Sequence, residues 1–421
     1  MMEKRKFGKW SLIHASALTA LSLFAAPAGS VFADAAAVTS SSVTAAATAT
    51  TSPAVTTTPP ATTTTTGTTT PVRNTAIPPI TDADKASKLP NVLVIATGGT
   101  IAGQSVDQTS FQNYKAGSIP IAQMVSELPD KQKIADVETL QFGNSGSSAY
   151  SMADLYDLSR AVDEALKSYD GVVVTSGTDT MEEIAYFLDL TVQSDKPVVI
   201  TGSMRPWTVV GSDAKANLYN AIKLSASGRT ASFGTVLMLN DTINLARGVT
   251  KTNDYRVDTF ETPMLGAVGY IDETTIRIYR APERALLGPG KGKPVFDLSK
   301  IKKADLAKTE IAYSYQDAGG EAIEGFTAAG AKGIVTAGTG AGGISSAMSK
   351  ARSKAVEQGV VFVTTTRTGS GSVYGGGKGI ISGDNLSPQQ ARILLMLCLS
   401  FSSDFETVKS WFTTYGVTEI D

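Results

Sequence analysis

From Asn91 onward, short β-branched runs alternate with amphipathic stretches, and this alternation restricts the possible fold more than any other feature of the chain. Asn91 to Ala96, Gly171 to Thr175, Pro197 to Thr201 and Gly234 to Leu239 read as strands. Between them, Ser151 to Ser168 has helical spacing at Leu155, Leu158, Val162 and Leu166, and Met181 to Val192 and Ala214 to Ser225 read as further helices. A β, α, β, α order of this kind implies a mainly parallel sheet flanked by helices. The stretch Leu287-Gly-Pro-Gly-Lys-Gly-Lys-Pro294 interrupts it. The alternation then resumes with a strand from Glu310 to Tyr315, a helix to about Ala329 and a strand from Gly333 to Thr336. A helix from Ser345 to Gln358, a strand from Val360 to Thr364 and a long helix from Ser387 to Leu399 follow. The expected fold class is α/β: a larger N-terminal domain at 91–286, a linker at 287–304 and a smaller C-terminal α/β domain at 305–421. No internal repeat stands out.

The N-terminus reads as an export signal over residues 1–33. Lys4, Arg5, Lys6 and Lys9 make a basic start, Trp10 to Ala26 supply a short apolar stretch, and Val31-Phe-Ala33 offers small residues for cleavage. That stretch is shorter than the roughly 20 residues a membrane-spanning helix needs, so no membrane anchor is expected after cleavage. Residues 34–90 are dominated by threonine, alanine, serine and proline, with runs such as Thr62 to Thr66. So few large apolar side chains cannot offset the entropy of ordering, and a disordered tether or stalk is expected there.

Cleavage after Ala33 removes Glu3 and the four basic residues, which takes the net charge from −2 to −5. A mildly acidic chain with no basic run argues against nucleic acid as a partner. The same cut removes His14, the only histidine, and leaves Cys398 as the single cysteine inside the apolar run Ile393 to Leu399. A Ser-His-Asp triad, a Cys-His dyad and histidine-ligated zinc are therefore excluded. Cys398 reads as a small core residue without an internal disulfide partner.

Two of the strands end in glycine-flanked threonines, Ala96-Thr-Gly-Gly-Thr100 and Thr175-Ser-Gly-Thr178-Asp179. Groups at the carboxyl ends of parallel strands face a common crevice in an open α/β sheet. A threonine hydroxyl is a weak nucleophile and needs a base or a strong local field. With no histidine at hand, Asp179 and Lys251, in Val249-Thr-Lys-Thr-Asn253, are the candidate helpers. On spacing alone, Gly-Gly-Thr turns also cradle phosphates, and an isolated Thr-Asp pair is more often a helix cap than a catalytic group.

Longer motifs narrow these alternatives. Ile95-Ala-Thr-Gly-Gly-Thr-Ile-Ala-Gly103, Gly177-Thr-Asp-Thr-Met-Glu-Glu183 with Tyr186-Phe-Leu-Asp-Leu190, Gly202-Ser-Met-Arg-Pro206, Asn217-Leu-Tyr-Asn220 and Asn240-Asp-Thr242 resemble the exported, type II group of bacterial L-asparaginases. The resemblance runs in order from Asn91 to the C-terminal end. It implies hydrolysis of L-asparagine to L-aspartate and ammonia through an acyl-enzyme, with no metal and no cofactor, and leaves L-glutamine open as a second substrate. Thr100 matches the family nucleophile and Tyr114 the tyrosine that approaches it from a mobile loop, for which Thr100 to Ser118 supply a lid. Thr178, Asp179 and Lys251 match the second threonine with its aspartate and lysine. Ser147 falls on the serine that holds the substrate α-carboxylate, and Asp179 would take the α-ammonium. A homotetramer, with sites shared between subunits, is likewise implied.

The chain departs from that pattern in three places. Ser148 stands where the family usually has glutamine or glutamate, and Ser176 replaces a common histidine. The loop Arg367 to Gly379 contains no acid, although the family commonly sends a glutamate from there to the neighbouring subunit's site. Asp317 and Tyr374 are the nearest substitutes. The missing acid motivates a rival expectation, a non-catalytic amino-acid binding protein.

Overall fold

The computed structural model describes residues 72–288 and 290–417. The expected signal segment, and the spacer as far as residue 71, lie outside the described residues. Eight strands form the larger sheet, in the spatial order Thr275–Ile278, Gly269–Asp272, Thr242–Leu245, Thr235–Leu239, Val198–Thr201, Gly171–Thr175, Asn91–Gly98 and Asp136–Ser145. The last five are parallel. Val92, Leu93, Val94 and Ile95 are each 0 % exposed because helices cover both faces of the sheet, as an unbroken apolar run requires. Leu93 and Ile95 pack with the helices Met152–Ala165 and Met181–Thr191. Val92 and Val94 pack with Ile121–Ser126 and Ala214–Ala226. Burial of this kind contributes about 1.5–3 kcal/mol per large aliphatic side chain.

The parallel order ends at Leu239. Asn240 and Asp241 both adopt positive φ, 51° and 60°, the backbone that a two-residue hairpin demands, and Leu239 pairs antiparallel with Thr242. Gly269–Asp272 and Thr275–Ile278 extend this antiparallel edge. Asp136–Ser145, which the apolar pattern did not mark, forms the opposite edge. An edge strand is only partly covered, so Glu138 and Gln141 dilute its apolar run.

The smaller sheet is parallel throughout, in the order Thr309–Tyr313, Gly333–Gly338, Val361–Thr366 and Ile380–Ser382. Glu321–Ala328 and Ser346–Glu357 cover one face through Ile323, Met348 and Ala351. The helix Pro388–Phe401 covers the other, and its Ile393, Leu394 and Leu397 belong to the same apolar core as Leu93 and Leu158 of the larger sheet. Cys398 is 0 % exposed in that core, where burial pushes its thiol pKa up.

The expectation of disorder through Pro90 is corrected for residues 72–90. Ile77 and Ile80 pack against the core of the larger sheet. Tyr169 donates its hydroxyl to the Pro78 carbonyl at 2.9 Å. Thr81 caps the short helix Asp82–Ala86. Composition obscured this because two isoleucines in a proline- and threonine-rich stretch suffice to anchor it.

Candidate active site at the switch point of the larger sheet

Asn91–Gly98 is where the sheet changes direction, since the chain adds Asp136–Ser145 on one side of it and then Gly171–Thr175 on the other. Open α/β sheets bind ligands outside the strand ends at such a point. Three segments meet there. Gly98 and Gly99 have φ of 108° and 83°. A Cβ on Gly98 would come within 2.6 Å of the Asn144 and Ser145 backbone, and one on Gly99 would strike the backbone of Gly177. Glycine is needed at both positions on conformational and steric grounds. Thr100 and Thr178 therefore each follow a glycine that lies against the other turn.

Thr100 Oγ1 lies 2.7 Å from Tyr114 Oη. Tyr114 belongs to Tyr114–Lys115, which pairs antiparallel with Gln104–Ser105. This ribbon is tied down where Gly117 N donates to Gly99 O at 3.1 Å, Ser105 N to Thr208 Oγ1 at 3.0 Å and Val210 N to Gln108 O at 2.9 Å. Gly103 makes room for the phenol, as a Cβ there would approach the ring to 2.8 Å.

A second cluster forms around Lys251, whose Nζ donates to Thr178 Oγ1 at 2.9 Å and to Asp179 Oδ1 at 2.7 Å. The lysine side chain is 16 % exposed and the aspartate 74 %, so the ion pair sits at the mouth of a crevice with its cation inside. Two residues that the sequence reading passed over locate Lys251. Glu182, buried at the start of Met181–Thr191, accepts the Lys251 backbone N–H at 2.7 Å. Burial pushes its carboxyl pKa up, against the opposing hydrogen bonds from Thr250 and Lys251. Gln390, 0 % exposed on Pro388–Phe401, accepts from Gly248 N at 2.9 Å and donates to Ala246 O at 2.9 Å and Val249 O at 3.2 Å. The segment leading to Lys251 is thus held by a helix from each sheet. Glu182 lies inside the motif Gly177 to Glu183, which was a signal of a kind. Gln390 carried none.

Ser147 is buried, and its Oγ accepts from Thr180 N at 3.1 Å, which joins its loop to the Thr178 turn. Ser148, the next residue, is exposed. Ser176 is fully buried, and among the described residues its hydroxyl has no hydrogen-bond partner. The motifs around Gly202, Asn217 and Asn240 bind one another, and Gly202 lies against the Thr178 turn, where a Cβ would come within 2.6 Å of Ser176 O and 3.3 Å of Thr178 Cγ2. Asp213 accepts from Met204 N and Arg205 N, both at 3.0 Å. Asn217 donates to Gly202 O at 3.0 Å and accepts from Asn240 N at 3.0 Å. Asp317 and Tyr374 are exposed, and among the described residues no hydrogen bond or ion pair ties either to Thr100 or Thr178.

Fold and site together define an open α/β protein whose switch point presents threonines, a tyrosine, an aspartate and a lysine, with no histidine among the described residues. A family model described as asparaginase, N-terminal, matches residues 91–284, and a glutaminase/asparaginase C-terminal domain model matches 308–412. L-asparaginase 2 of Bacillus subtilis (strain 168) is 41 % identical over 339 residues, covering 79 % of this chain and 88 % of the relative. The glutaminase-asparaginase of Pseudomonas fluorescens biotype A is 33 % identical over 343 residues, covering 79 % and 93 %. The crystal structure of a probable cytoplasmic L-asparaginase from Campylobacter jejuni superposes with a TM-score of 0.73 at 37 % identity, covering 77 % of this chain and 99 % of that one. The chain belongs to the asparaginase family.

Proposed function

We propose that this protein is an exported L-asparaginase that converts L-asparagine to L-aspartate and ammonia through an ester on Thr100. The observation that carries the reading is the contact between Thr100 Oγ1 and Tyr114 Oη, one glycine contact away from the Thr178, Asp179 and Lys251 cluster. Thr100 Oγ1 attacks the side-chain amide carbon, the C–N bond breaks, and the amide nitrogen leaves as ammonia with the hydroxyl proton. Tyr114 lies on that proton's path. Water then attacks the ester, releasing aspartate and restoring the Thr100 hydroxyl. Lys251, paired with Asp179, donates to Thr178 Oγ1, which orients that hydroxyl and stabilises negative charge developing beside it. Ser147 binds the α-carboxylate and Asp179 the α-ammonium, which fixes the amide relative to Thr100. Ser148, at the next position, limits reach toward the ammonium. This chemistry calls for neither metal nor cofactor.

Rates of ammonia release from L-asparagine and L-glutamine, measured side by side, test the assignment. Turnover of asparagine is expected, and turnover of glutamine at a comparable rate would make the chain a mixed glutaminase-asparaginase. Binding of L-aspartate by calorimetry with no ammonia from either amide would replace the enzyme by an amino-acid binding protein.

Export rests on residues 1–33, and assembly into a homotetramer on the family resemblance. Exposed Met264, Tyr313 and Tyr315, at 51 %, 55 % and 56 %, offer apolar surface for such contacts. Sedimentation of the mature chain is expected to give a tetramer, and a fully active monomer would refute that assembly.

A further inference from the structure

The segment immediately after the threonine-rich spacer lies N-terminal to both family-matched regions, yet it is bound to the switch point. Arg73 Nε contacts Asp154 Oδ1 at 2.6 Å, with both side chains almost wholly buried, at 8 % and 5 % exposure. Asp154 is itself fixed, since its Oδ2 accepts from Ser151 N and Ser151 Oγ at 2.8 Å each, within the capping box of Met152–Ala165. Burial pushes the Asp154 carboxyl pKa up, and Arg73 and Ser151 outweigh it, leaving the carboxyl below its ordinary value.

The Arg73 guanidinium lies 4.3 Å from the Tyr150 ring centroid. Such stacking is strong when it is shielded from water. Tyr150 in turn reaches two parts of the site. Its hydroxyl donates to the Thr97 carbonyl, three residues before Thr100. Its backbone N–H donates to Ser147 O at 3.2 Å. Gly143 completes the contact, because a Cβ there would lie 3.1 Å from the Tyr150 ring and 3.3 Å from Arg73 Nη1. Asn74 N also donates to Phe142 O at 3.4 Å on the strand that leads into the Ser147 loop.

We propose that Arg73 is a positioning residue: the segment Val72 to Pro78 acts as a strap that, through Tyr150, holds the Ser147 loop and the Thr97 to Thr100 turn at a fixed separation. This rests on the asparaginase reading above, in which Ser147 grips the substrate and Thr100 attacks it. Removing the guanidinium leaves Asp154 buried without its cation and Tyr150 without its cover, so both loops gain freedom where small displacements are costly.

The test compares Arg73→Ala and Arg73→Lys with the parent in the full mature chain, measuring kcat and KM for L-asparagine together with thermal stability. Arg73→Ala is expected to raise KM about 10-fold and lower kcat by a smaller factor. Arg73→Lys, which keeps the charge and loses the planar fork, is expected to fall between it and the parent. A lowered melting temperature with KM and kcat unchanged would overturn the proposal and make the strap a stabilising element alone. If Arg73→Ala does not fold, Arg73→Lys decides on the same readout. A parent chain that released no ammonia would count against the asparaginase reading instead, and L-aspartate affinity by calorimetry would then take the place of KM. Equal affinity in the parent and Arg73→Lys would overturn the strap independently.

Discussion

Thr100→Ala is expected to lower kcat for L-asparagine by at least about 10³-fold while leaving the fold and substrate affinity close to those of the parent. The substitution removes the oxygen proposed to form the ester, and the neighbouring Tyr114 hydroxyl belongs to a different residue on a separate ribbon. Little stability should be lost, because Thr100 is only partly buried and its backbone conformation is set by the two preceding glycines. Ammonia release, with circular dichroism and L-aspartate calorimetry on the same sample, separates a chemical defect from a folding defect. Parent-like rates in this variant would remove Thr100 from the role of nucleophile. Thr100→Ser, which restores a hydroxyl without the methyl group, is expected to recover part of the activity.

Lys251→Ala is expected to lower kcat by about 10²- to 10⁴-fold, with Thr100 and its tyrosine untouched. The lysine side chain is largely buried and supplies the donor to Thr178 Oγ1, whereas Asp179 is well solvated and can stand without its partner. The deficit should therefore be kinetic more than thermodynamic. Lys251→Arg is not expected to rescue it, because a planar guanidinium fork on a longer side chain cannot take the place of the compact ammonium between Thr178 and Asp179. Unimpaired turnover in Lys251→Ala would mean that the cluster only braces the mouth of the crevice.

The fold was legible wherever burial on both faces imposed a continuous apolar run, as in Asn91–Gly98 and Gly171–Thr175. It was not legible at the edges of the larger sheet. Asp136–Ser145 is half covered and mixes polar residues into its run, and the antiparallel strands that follow the Asn240-Asp241 turn carried no strand expectation. The ordered stretch from Val72 to Pro90 was hidden by its resemblance in composition to the spacer before it.

By itself the sequence determined the class of fold, the lack of any histidine from Asn91 onward, and the glycine-bounded threonines at two strand ends. Each follows from local rules: alternation of apolar runs, residue inventory, and backbone conformations that glycine alone adopts freely. Only the tertiary structure decided what holds those groups in place. Glu182 meets Lys251 across 69 residues, Arg73 meets Asp154 across 81, and Gln390 meets Gly248 across 142. Buried polar contacts of this kind have no periodicity and no local composition. They arise when packing brings distant donors and acceptors together away from water, where each must find a partner.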